Sequence, residues 1–124
     1  MITLKTLPQA TAQEVFDQIV QHLLTQLVHA QTKTTGVCRY RIEKQSGQTL
    51  KCAAGCLIAD DEYNRLFENV SWNDLVNGGK VPKQHAQLIW QFQWMHDKEL
   101  PEDWPHYFHK IAKDFGLAFH PQPS

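Results

Sequence analysis

The stretch Leu50-Lys51-Cys52-Ala53-Ala54-Gly55-Cys56-Leu57-Ile58-Ala59-Asp60-Asp61 changes character in its middle. Up to Cys52, apolar and polar residues alternate with the two-residue period of a strand that buries one face. From Ala53 the side chains shrink, and Gly55 permits a sharp turn or a close backbone approach that any Cβ would block. Small residues and cysteine belong in protein interiors, so another element is expected to lie against this run. A strand ends here and a turning or helical segment begins near Ala53.

Upstream the same period of two starts at Val37. Cys38, Tyr40 and Ile42 form the inward set, and Arg39, Arg41 and Glu43 the outward set. Gln45-Ser46-Gly47 suits a three-residue hairpin loop with Gly47 in the left-handed conformation, which sets Ile42 opposite Leu50 and Tyr40 opposite Cys52. A one-residue slip would bury Lys51 and Thr49 instead, so the pattern selects this register.

Helices account for most of the remainder. Thr11-Ala12-Gln13-Glu14 is a capping box, and Val15, Phe16, Ile19, Val20, Leu23, Leu24, Leu27 and Val28 continue one apolar face to about Ala30. Gln18, Gln21, His22, Gln26 and His29 fall off that face and read as solvated. Asp60-Asp61-Glu62 suits the first turn of a short helix reaching Phe67. Ser71-Trp72-Asn73-Asp74 caps another short helix, ended by Asn77-Gly78-Gly79. Pro82 suits a first helical position, followed by a stripe of His85, Leu88, Ile89, Phe92 and Met95 flanked by Trp90 and Trp94. Trp104, Tyr107, Phe108, Ile111, Ala112 and Phe115 mark the last helix, with Gly116 as its cap. The predicted architecture is a helix-rich α+β fold, one domain over residues 1–124, with a single antiparallel β-hairpin packed against helices. Residues 1–8 and 118–124 are expected to be loosely ordered.

Composition narrows the function classes. The 124 residues carry 12 Lys+Arg against 13 Asp+Glu, a formal charge of -1, so nucleic acid has no general basic field to support it as a partner. No apolar run approaches a membrane span and the N-terminus lacks the pattern of a secretory signal, so a cytoplasmic location without a membrane partner is expected. Three cysteines in that setting read as thiols or ligands rather than a disulfide framework.

Three readings compete for the cysteine segment. The leading one is structural. Cys38, Cys52 and Cys56 with one histidine would make a tetrahedral zinc site, although the spacing is wider than in tight C-x2-C pairs. Cys52 or Cys56 paired with His85, His96 or His106 would make a thiol-dependent enzyme. No cofactor is expected. Trp72, Trp90, Trp94 and Trp104 are candidate anchors for a protein partner, because tryptophan is enriched at binding hot spots. Arg39 and Arg41 are candidates for holding a carboxylate or phosphate.

The combination Cys38-Arg39-Tyr40-Arg41, Lys51-Cys52-Ala53-Ala54-Gly55-Cys56-Leu57-Ile58 and Asp61-Glu62-Tyr63 resembles a group of small uncharacterised bacterial, phage and prophage proteins. The likeness extends through residues 82–117. It implies a shared compact fold and an intracellular, phage-related setting; the expectation of a small protein-binding inhibitor or accessory factor comes from the tryptophan and tyrosine content. It carries no catalytic residue across.

Overall fold

The computed structural model describes residues 1–31 and 39–119. The fold is α+β: the described residues form four α-helices and one antiparallel hairpin packed against them. The helices are α1 (Ala12–Gln26), α2 (Trp72–Asn77), α3 (Ala86–Lys98) and α4 (Trp104–Phe115), and the strands are β1 (Arg41–Glu43) and β2 (Thr49–Lys51). Short 3-10 turns cover Leu7–Gln9, Ala54–Leu57, Arg65–Phe67 and Pro101–Asp103.

The hairpin follows the predicted register, with Ile42 opposite Leu50, and Gly47 takes φ +90° in the connecting loop. Cys38, expected at the head of β1, lies outside the described residues. Directly after β2 the turn Ala54–Leu57 enters the space between α1 and α3, where Ala53, Ala54 and Leu57 are fully buried. Gly55 sits against the backbone of Tyr40: a Cβ there would strike the Tyr40 carbonyl oxygen and come within 3.3 Å of the Lys51 Cβ. Only glycine fits.

The core is built on α3, which touches α1, α2, α4 and the Ala54–Leu57 turn. Phe92 packs at 5.4 Å from Phe16 of α1 and 6.1 Å from Phe108 of α4. The capping box of α1 is present, with the Glu14 N–H donating to the Thr11 hydroxyl and the Thr11 N–H donating to the Glu14 carboxylate. α4 ends at Gly116 in the left-handed region, and the Leu117 N–H closes back on the Ala112 carbonyl at 2.7 Å.

Four expectations change. α1 stops at Gln26, because Leu27 turns left-handed at φ 56°; Leu27 and Val28 are exposed, and His29 and Ala30 are redirected toward α3. α3 begins at Ala86 rather than near Pro82, since His85 is itself left-handed (φ 63°), a conformation no helix can pass through. Asp60-Asp61-Glu62 forms a turn, not a helix start. The polar residues of α1 are not simply solvated. Gln18 pairs with both backbone groups of Ile2, Gln26 with both of Lys51, and Gln13 with both of Ala118.

The N-terminal segment, expected to be loose, is also fastened by Glu62, whose carboxylate accepts the N–H groups of Leu4 (2.9 Å), Lys5 (3.0 Å) and Ala59 (2.9 Å). Leu7 is fully buried beside it. At the other end, Phe119 packs on Phe16 and Phe108, while residues 120–124 lie outside the described residues.

Gly55→Ala is expected to destabilise the fold by about 3 kcal/mol or more, since the new methyl meets backbone and not a flexible side chain. Urea unfolding of the two proteins measures this; equal midpoints would contradict the close approach. Burial raises the Glu62 pKa, but the backbone N–H bonds from Ala59, Leu4 and Lys5 outweigh it and hold the carboxyl below the ordinary 4.5. Its contribution is therefore complete at neutral pH and is lost as pH falls through the depressed value. Glu62→Gln should cost about 1 kcal/mol at pH 7, and the gap from the parent should close in acid, as followed by unfolding titrations across pH.

Candidate functional site

The cysteine segment comes first. Cys52 is fully buried, and its sulfur accepts the Gly55 N–H at 3.3 Å. Burial pushes its thiol well above the ordinary 9.0. Cys56 is partly covered and donates to the Ala53 carbonyl at 3.1 Å; burial pushes its thiol up to about 12. The raised thiol pKa values disfavour the thiolate that nucleophilic attack requires.

The histidines do not supply a base. His85 donates to the Ala10 carbonyl at 2.7 Å, His96 bonds to Asp97 and the Ala30 backbone, and His106 packs edge-on against Tyr107. Among the described residues, no hydrogen bond joins Cys52 or Cys56 to a histidine. Nor do three His, Cys, Asp or Glu side chains converge there in a metal-holding group. Cys38, the third candidate ligand, is not among them.

The arginine face is also partly spoken for. Arg41 reaches Asp60 at 2.6 Å and Glu43 at 3.1 Å, and its guanidinium lies 5.6 Å from the Tyr63 ring centre. With both forks occupied, Arg41 is an internal ion-pair residue of the hairpin rather than an open anion site. Arg39 is exposed.

The tryptophans divide two and two. Trp72 (1% exposed) and Trp104 (0%) are core residues, which removes them as surface anchors. Trp72 packs edge-on against Tyr40, and Trp104 stacks on His96 at 5.5 Å. Their indole N–H groups are buried without a hydrogen-bond partner among the described residues, a cost set against the large apolar area of each ring. Trp90 (38%) and Trp94 (43%) are exposed. Four residues apart on α3, they project from the same side of the helix.

Beside them lies a half-open cleft of about 470 Å³. α3 supplies Trp90, Gln93, Trp94, Asp97 and Lys98, and the opposite wall comes from Arg39, Tyr40 and residues 68–72. Polar groups fix the walls. Glu68 accepts the Tyr40 N–H (2.9 Å), the Arg41 N–H (3.3 Å) and the Tyr63 hydroxyl (2.6 Å), while the Tyr40 hydroxyl donates to the Val70 carbonyl. On the helix, Asp97 Oδ1 accepts both Gln93 Nε2 (2.7 Å) and His96 Nδ1 (2.8 Å), and Gln93 Oε1 accepts the Ala54 N–H at 3.0 Å. The cleft thus has a hydrogen-bonded polar frame and an aromatic rim. Sequence reasoning missed Glu68, Gln93 and Asp97. The four-residue spacing of Gln93 and Asp97 was a visible signal, whereas nothing local marks Glu68.

Alkylation of the native protein at neutral pH should be slow at both cysteines and become fast only on unfolding. Cys52→Ala should cost about 1–2 kcal/mol for the small void it leaves. Since burial raises both thiol pKa values, stability should be complete below 9.0 and decline as pH rises beyond it, where only the unfolded chain ionises readily. Rapid native modification of Cys52 would overturn the assignment of a structural thiol.

The chain matches no protein-family model, no curated protein and no solved structure. No helix among the described residues is long and apolar enough to cross a membrane.

Proposed function

We propose that this protein is a small protein-binding factor that engages its partner through Trp90, Trp94 and the cleft beside them. The observation that carries the reading is the exposure of two large aromatic side chains, one turn apart on a helix whose other face is the centre of the core. Indole rings left in water on a firmly held helix forgo burial that a partner would restore, and they do so with little conformational entropy to lose. Gln93, Asp97 and Lys98 supply a polar edge of the kind that surrounds a binding hot spot. An inhibitory or accessory role follows from the aromatic content, and its phage or prophage setting rests on the resemblance stated above.

The thiol-enzyme reading draws no support from Cys52 and Cys56, whose thiols burial pushes up, and no metal-holding group of three His, Cys, Asp or Glu side chains occurs among the described residues.

The test pairs binding with stability. Trp90→Ala and Trp94→Ala should each lower unfolding free energy by about 1–2 kcal/mol, since more than half of each ring is covered, and together abolish stoichiometric capture of a partner from host lysate in quantitative mass spectrometry. Trp72→Ala, as a core control, should cost about 3 kcal/mol or more. Undiminished capture by the Trp90/Trp94 double variant would remove the proposed surface.

A further inference from the structure

His96 is fully buried at the C-terminal end of α3. Its ring is stacked on Trp104, with His29 edge-on at 5.4 Å, and both its nitrogens are used. Nδ1 lies 2.8 Å from Asp97 Oδ1, and Nε2 accepts the Ala30 N–H at 3.2 Å. A carboxylate can only accept and a backbone N–H can only donate, so the partners select the neutral ring with its proton on Nδ1.

The other hydrogen-bonded histidines differ in one respect. His22, His29 and His85 each place Nε2 on a backbone carbonyl, of Lys51, Glu99 and Ala10 respectively. Each is therefore a donor, and a second proton on the far nitrogen leaves that bond intact. His96 is the one among these four that accepts from the backbone. A second proton there points N–H at N–H in a buried site.

The geometry points to a pH-sensitive latch, in which a second proton on His96 and docking of residues 27–31 against α3 are mutually exclusive. The protonated ring has reasons to stay where it is, paired with Asp97 and stacked on Trp104. Ala30 is held by the burial of one methyl and by the Arg39 N–H on its carbonyl, ties smaller than those of a charged, paired ring, so it is Ala30 that leaves. The charged and titratable groups facing His96 are Asp97 on its own helix, His29 from the segment after α1, and His22 of α1; α4 presents Trp104. Burial lowers the His22 pKa, so it adds little competing charge.

Release would reach beyond Ala30. Its carbonyl accepts the Arg39 N–H at 2.8 Å, and Arg39 lines the tryptophan cleft. The latch therefore joins the end of α1 to one wall of that cleft. It stands independently of the docking reading.

Amide exchange by NMR, corrected for the intrinsic pH dependence of exchange, tests the latch in the intact protein. If protonation occurs only in the released state, protection at Ala30 relative to Leu23 should fall by about tenfold per pH unit below the ordinary imidazole range. The ring nitrogens of His96 should show the Nδ1–H form at pH 7.5 and titrate with the same midpoint as the Ala30 amide. His96→Gln should remove the pH dependence; if that variant does not fold, the shared midpoint in the parent protein decides. Titration of His96 with Ala30 protection unchanged would overturn the latch, as would a His96 that stays neutral until the whole protein unfolds.

Discussion

The close approach of Gly55 to the Tyr40 carbonyl is the constraint on which the arrangement depends. It lets the chain turn immediately after β2 and drive Ala53, Ala54 and Leu57 between α1 and α3. A hairpin of two three-residue strands cannot hold itself together in water. Here it is continuous with a turn buried in the helical core, so the stability of the core becomes that of the hairpin. The two cysteines serve the same end: each sulfur satisfies a backbone group of the turn while filling apolar volume.

With so little regular sheet, many backbone groups would be left unpaired, and side chains take them up. α1 carries three glutamines whose amides pair both ways with backbone at Ile2, Lys51 and Ala118. A primary amide presents a donor and an acceptor side by side, as a neighbouring strand would. Glu62 and Glu68, which only accept, gather backbone N–H groups from the N-terminal segment and from β1. The polar face of α1 therefore ties down both ends of the described chain and the free edge of β2, which also protects that edge from pairing with another chain.

The tryptophan cleft inherits its rigidity from these ties. Gln93 connects α3 to the Ala54–Leu57 turn through the Ala54 N–H, and Asp97 joins Gln93 to His96. Its opposite wall is held by Glu68 and by the Tyr40 hydroxyl. Trp90 and Trp94 are thus presented on a frame tied by side-chain-to-backbone hydrogen bonds.

The sequence by itself determined the elements whose cause is local. The period of two and Gly47 set the hairpin register, Thr11 and Glu14 set the start of α1, Gly116 set the end of α4, and the small residues at 53–55 announced a buried turn. What depended on distant partners was decided only by tertiary structure. Leu27 and Val28 continue an apolar stripe, yet the chain leaves the helix where Ala30 finds a hydrogen bond on α3 and His29 one on Glu99 just past its end. Trp72 and Trp90 look alike in sequence, and one is buried against Tyr40 while the other is 38% exposed. Gln18 and Gln26 read as solvated because a side-chain amide shows no preference for solvent or backbone until a backbone segment is brought beside it. Periodicity reports which face of an element is apolar; it carries no information about which polar group will meet another across the fold.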